Sequence, residues 1–187
     1  TYTLTPQGKL IVQQALKAGK KAMPVLPRFG MTLVMPSAYN AIRYYGRGPI
    51  ENYVDRHTST FLGIYNQKVA DQYSPYIRPQ ESGNKTDVRW WSVYAPETMQ
   101  GLTFTAPEPL EMTSINYLPS DLDGGEVKEA KQMHSGDLIP RDFTVVHIAQ
   151  KQMGLGCVDS WGSWPLPKYR IPYADHDFTF VISPSVR

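Results

Sequence analysis

The sequence predicts an all-β chain folded as an antiparallel β-sandwich, and three observations carry that expectation. Apolar and polar residues alternate with period two through most of the chain, which puts one face of a strand in a core and the other in water. β-Branched and aromatic residues fill those runs, as pleated, half-buried surfaces favour. Sixteen prolines among 187 residues leave little room for helices, because proline lacks the amide proton that a helix interior uses.

Each expected strand follows from its own pattern. Leu10, Val12 and Leu16 alternate with polar neighbours, and Phe29, Met31, Leu33 and Met35 alternate with Arg28, Gly30, Thr32 and Val34. Ile42 and Tyr44, then Val88 and Trp90, then Leu102, Phe104 and Ala106 set against Thr103 and Thr105, continue the series. Phe143 to Ile148 and the trio Phe178, Phe180 and Ile182 close it. Turns are expected at Gly48-Pro49, Ser82-Gly83-Asn84, Ala106-Pro107-Glu108-Pro109 and Asp123-Gly124-Gly125, where Pro, Gly, Asn and Asp each supply turn geometry. Between Ser120 and His134 one or two short helical turns are expected, capped by Ser120, since Gly124 and Gly125 each cost about 1 kcal/mol against Ala in a helix. No repeat, charge block or low-complexity linker divides the chain, so residues 1–187 read as a single β-sandwich domain.

Composition narrows the functional classes. The net charge is +2 with scattered lysines and arginines, so neither nucleic acid nor an anionic membrane is an expected partner. There is no apolar run long enough to cross a bilayer and no signal-peptide pattern. Cys157 is the sole cysteine, which excludes an internal disulfide and a Cys-rich zinc site. His57, His134, His147 and His176 lack the spacing that metal sites favour, so no metal or cofactor is expected. The chain opens at Thr1 directly on alternating residues and reads as a piece of something longer; its compartment is open between a bacterial cytoplasm and periplasm.

Two stretches concentrate chemistry. Gln152 to Trp164 reads Q-M-G-L-G-C-V-D-S-W-G-S-W: glycines that shape a loop, a carboxylate, and two large flat rings. It is either a sugar-facing loop or a tight turn whose tryptophans plug the core. Tyr44 to Arg56 begins as a strand, breaks at Gly46, Gly48 and Pro49, and gathers Glu51, Asn52, Asp55 and Arg56 around Tyr53. It reads as a ligand site or, in preference, a structural corner held by ion pairs such as Asp55 with Arg56 and by side-chain to backbone hydrogen bonds. Tyr73 to Gly83 is a proline-pinned segment of aromatics and a carboxylate, expected as a rigid loop.

Three motifs, G-R-G-P-I-E-N-Y-V-D-R, Y-S-P-Y-I-R-P-Q-E-S-G and R-D-F-T-V-V-H-I-A-Q-K-Q-M-G-L-G-C-V-D-S-W-G, give the chain a resemblance in their order and spacing. It is similar to the C-terminal domain of large bacterial β-galactosidases of glycoside hydrolase family two, from about Pro27 to Ile182. The resemblance implies a β-sandwich of the galactose mutarotase-like type, often called a supersandwich, and a non-catalytic role. Retaining hydrolysis needs two carboxyl groups about 5 to 5.5 Å apart, and in that family both belong to a separate barrel domain, so Glu51, Asp55, Glu81 and Asp159 are not that pair. The implied partners are a β-galactoside, the remaining domains of the parent enzyme and, as an open matter, further copies.

By the same resemblance Trp161 is the ring that reaches an active-site mouth and offers the aglycone sugar a platform. Gly154, Gly156, Asp159 and Ser160 support its loop, while Trp164, Tyr169 and Tyr173 are expected chiefly in the core. The family commonly shows G-G-D-D-S-W where this chain has Gly156-Cys157-Val158-Asp159-Ser160-Trp161, and an Asp-Tyr pair where it has Ala149-Gln150. Val158 resists positive φ and Cys157 adds a Cβ, so a different loop path and a shifted substrate preference are expected. The other reading is a stand-alone aldose epimerase or a carbohydrate-binding module on the same fold, with His147 or His134 as the acid.

Overall fold

In the computed structural model, residues 1–123, 134–156 and 162–186 are described. Among them nine strands form one antiparallel sheet: β1 (Tyr2–Leu4), β2 (Leu10–Leu16), β3 (Arg28–Pro36), β4 (Ala41–Gly48), β5 (Phe61–Lys68), β6 (Lys85–Tyr94), β7 (Gln100–Ile115), β8 (Phe143–Gln152) and β9 (His176–Val186). The order is β1-β2-β9-β7-β6-β4-β5, and β8, carrying β3, branches from β7. The branch folds back over the main path, where Phe29 of β3 lies 5.2 Å from the His176 ring of β9 and Gln14 of β2 donates to the Gly30 carbonyl at 3.3 Å. The result is the all-β sandwich that the alternation predicts.

Register explains the core. Leu10, Ile182, Phe104, Trp91, Tyr44 and Tyr65 pair in one row across β2, β9, β7, β6, β4 and β5. Trp91, Tyr44 and Phe104 are fully buried there. The Trp91 and Tyr44 rings stack at 4.5 Å, and the indole Nε1 donates to Ser114 Oγ at 3.0 Å, which satisfies the ring's one polar atom. Val146 and Ile148 of β8 and Met35 of β3 pack into the same cluster.

Three expectations need correction. The expected turn at Ala106-Pro107-Glu108-Pro109 lies inside β7, which runs for 16 residues. Its partner pairs Val88 with Leu110 and Trp90 with Thr105, so the two prolines fall in a bulge where no ladder donor is needed. There β7 exchanges β9, paired to Gln100–Thr105, for β8, paired to Glu111–Ile115. Strands β5 and β1 were not expected; they end the sheet at either side. The described part of the expected helical region holds the turn Pro119–Leu122, closed by Asp121 Oδ2 accepting from Leu118 N at 2.9 Å and not by Ser120; residues 124–133 lie outside the described residues.

Candidate functional site

The end of β4 and the motif behind it form a buried polar corner. The chain leaves β4 at Gly48, enters a cis bond to Pro49, and turns Asn52 inward to zero exposure. Asn52 Nδ2 donates to the carbonyls of Arg47 (3.1 Å) and Ile50 (3.0 Å), and its Oδ1 accepts from Thr86 N (2.9 Å) and Thr86 Oγ1 (2.6 Å). Its backbone exchanges hydrogen bonds with Asn84, whose Nδ2 also donates to Glu111 Oε2 at 2.8 Å. Three segments distant in sequence are thereby fixed through one side chain and its neighbour. Gly48 has no room for a side chain, since a Cβ would overlap the Tyr44 hydroxyl and the Tyr65 ring.

Glu51 gathers the second motif. Its carboxylate accepts from Arg56 Nη2 (2.9 Å), the Tyr76 hydroxyl, Ser82 Oγ (3.3 Å) and Gly83 N (2.7 Å). The Arg56 guanidinium lies 4.6 Å over the Tyr53 ring. The expected pairing of Asp55 with Arg56 is absent among the described residues, because adjacent side chains diverge: Arg56 turns to Glu51 and Asp55 to the third motif. There Asp55 Oδ2 accepts from Gly156 N at 2.7 Å across 101 residues. A Cβ on Gly154 would overlap Asp55 Oδ2 and stand 2.6 Å from its Cγ, and one on Gly156 would lie 3.2 Å from Oδ2. Both glycines are present for close approach, not for a left-handed backbone, which occurs instead at Gly162 (φ +93).

Charge is buried beneath this corner, and sequence reasoning missed it. Lys85, 1% exposed, donates to Gln72 Oε1 at 2.9 Å and to the Gly83 carbonyl at 3.2 Å; burial pulls its pKa down to about 8, against the pull of Glu51. Arg28 pairs with Glu81 at 2.6 Å and donates to Gln152 Oε1 at 2.7 Å. Burial raises the Glu81 carboxyl, with Arg28 opposing, and lifts the Tyr53 phenol well above its ordinary value, helped by Glu81 and Glu51. Glu111 is pushed up to about 7 by burial, against hydrogen bonds from Asn84 and the Gln152 amide. With His57, Asp87 and Gln150 it lines a shallow depression of about 170 Å³. One signal was available: Glu111 sits between Leu110 and Met112 in a strand buried on both faces.

The raised Glu111 pKa predicts a pH effect whose sign is fixed by linkage. An unfolded carboxyl near 4.5 against a folded one near 7 means that the native state holds the extra proton between those values. Stability from this group is therefore full below about pH 4.5 and lost as pH rises through 7, by about 3 kcal/mol in all. Urea denaturation at pH 5 and pH 8 checks this: Glu111→Gln removes most of that loss, while the contribution of His147 is common to both proteins and cancels.

The remaining expected residues scatter. Cys157, Val158, Asp159, Ser160 and Trp161 lie outside the described residues. Trp164, expected in the core, is 51% exposed, with the Arg170 guanidinium 5.7 Å over its ring; Arg170 is held there by donating to the Pro165 carbonyl at 2.6 Å. Tyr173 accepts from Gly19 N at 3.0 Å near the surface. His147 is 3% exposed and bonded to Thr32 Oγ1 at 2.8 Å, and burial, aided by Arg28, lowers its pKa to about 3. A ring so covered and so weakly basic is not an accessible acid. His134 is exposed and its backbone donates to Asp137.

Fold and corner together define a class: an antiparallel β-sandwich that locks three distant motifs at one place and there anchors the base of a glycine-bearing loop. The chain belongs to the β-galactosidase small chain family, whose model matches residues 1–182. It is 36% identical over 186 residues to a beta-galactosidase of Priestia megaterium, covering 98% of this chain and 17% of that protein. A beta-galactosidase of Halalkalibacterium halodurans is 35% identical over 182 residues, covering 96% of this chain and 17% of the relative. One from Lactobacillus delbrueckii subsp. bulgaricus is 35% identical over 170 residues, covering 90% and 16%. The chain thus spans about a sixth of the length of these relatives.

Proposed function

We propose that residues 1–187 form the C-terminal, non-catalytic domain of a β-galactosidase, a retaining enzyme of glycoside hydrolase family two that cleaves terminal β-galactosides. Bond breaking belongs to a carboxyl pair in another domain of that enzyme. This domain, on the mutarotase-like sandwich, braces that domain and completes the rim of its active site. Trp161 is the platform for the aglycone sugar; Gly154, Gly156, Asp159 and Ser160 hold its loop. The observation that carries the reading is the Asp55 to Gly156 hydrogen bond at 2.7 Å, which ties the corner motif to a point five residues before Trp161, in a chain whose relatives are beta-galactosidases.

The test is Trp161→Ala in the full-length enzyme. Loss of a stacking ring worth about 1 kcal/mol beyond its buried area weakens aglycone binding about fivefold to tenfold. Acceptor affinity and KM for a disaccharide shift, while kcat on a substrate with a small leaving group stays within about twofold, since the ring takes no part in proton transfer or nucleophilic attack. Unchanged acceptor and substrate binding rejects the platform.

A further inference from the structure

The outward face of the main sheet carries a row that solvent does not account for. Residues one position from the core row pair in register across six strands: Ile11 with Val181, Val181 with Thr105, Thr105 with Trp90, Trp90 with Tyr45, and Tyr45 with Ile64. An antiparallel sheet with one face in water places polar residues there; this row has a single threonine. At the β5 end the face is most open, with Ile64 55% and Leu62 46% exposed. Strand β5 is also an edge, paired only to β4 among the described strands, so its outer amides and carbonyls have no ladder partner.

A cation at this end points to the chemistry of what covers it. The Arg43 guanidinium lies 5.9 Å over the Trp90 ring, its Nε is buried without a hydrogen-bond acceptor, and no carboxylate of the described residues pairs with it. Its charge is unpaired, so an incoming surface that offers a carboxylate or carbonyl to the remaining guanidinium nitrogens beside aliphatic side chains gains a charge-assisted hydrogen bond together with apolar contact. Aliphatic Ile64, Leu62 and Val181 match a protein surface and not a sugar, which stacks on aromatic rings.

We propose that this outward row, centred on Tyr45, Ile64 and Trp90, is the docking face for the larger remainder of the β-galactosidase polypeptide, which seats an apolar strip on it and a hydrogen-bond acceptor against Arg43. The inference rests on the reading above that the chain is one domain of that enzyme. More than four-fifths of each matched relative lies outside the matched region, so protein surface sufficient to cover the row is available on the same polypeptide.

Hydroxyl-radical footprinting of the full-length enzyme tests it without reference to Trp161 or to hydrolysis. Tyr45, Leu62, Ile64 and Trp90 are modified about fivefold or more below the rate their exposure here dictates, independent of enzyme concentration, because the centre of an interface is dehydrated like an interior. Ile64→Asp, which points away from the sandwich core, restores labelling of Tyr45 and Trp90 while the core amides keep their protection. Labelling at the exposed rate overturns the proposal. Protection that appears only at high enzyme concentration assigns the face to a second copy, and protection that appears only with added galactoside assigns it to sugar; either overturns it. Unchanged aglycone binding in Trp161→Ala would sink the platform and leave this result standing.

Discussion

Asn52→Leu lowers the stability of the sandwich by about 4 kcal/mol, the largest effect expected of any single exchange outside the apolar core. The substitution keeps the volume and removes both ends of the amide. Two carbonyls, Arg47 and Ile50, lose their donor, and Thr86 N and Oγ1 lose their acceptor. The two Thr86 groups stay buried, and an orphaned buried polar group costs about 1 to 3 kcal/mol; the part-buried Arg47 and Ile50 carbonyls add less, and rotation of the Thr86 hydroxyl recovers part of the sum. Equilibrium urea unfolding measures it. A loss under about 1 kcal/mol means that water reaches the corner and that Asn52 does not hold it.

Gly154→Val is expected to cost about 2 kcal/mol and to detach the corner from the loop base. The new side chain occupies the place of the Asp55 carboxylate, so Asp55 swings away from Gly156 N and a charge-assisted hydrogen bond worth about 1.5 to 3 kcal/mol is lost. Backbone strain contributes nothing, because Gly154 has no left-handed φ. In the full-length enzyme the same change releases the Gly156 amide, and the aglycone shift proposed for Trp161→Ala is expected in part.

Much of the fold was legible because burial on one face writes itself as alternation. Val12, Met35, Tyr44, Phe104 and Phe180 sit at the buried positions of strands that their own segments predict. Where the solvent face is itself apolar the signal disappears: Phe61, Leu62 and Ile64 are all exposed in β5, so no period of two is visible there. Pro107 and Pro109 hid the length of β7 for a different reason, since proline marks a turn and a bulge alike.

The corner was less legible than its residues. Glu51, Asn52, Asp55 and Arg56 are conspicuous as a cluster, yet their partners Tyr76, Gly83, Thr86 and Gly156 lie 20 to 101 residues away. Local reading paired Asp55 with the arginine beside it, and only tertiary packing turned each toward a different motif. Lys85 and Glu111 are not singled out by the sequence reading. Their burial depends on Gln72 and Asn84, which close over them from another segment.

The corner motif holds the loop base through Asp55. Amide hydrogen exchange at Gly156, compared between the unaltered chain and Asp55→Ala, reads that bond directly. A protected Gly156 amide is expected, whose exchange accelerates at least about tenfold on substitution, the equivalent of about 1.4 kcal/mol, while Val146 and Ile148 in the core keep their protection. A Gly156 amide that exchanges freely in the unaltered chain, or one that Asp55→Ala leaves unchanged, contradicts it.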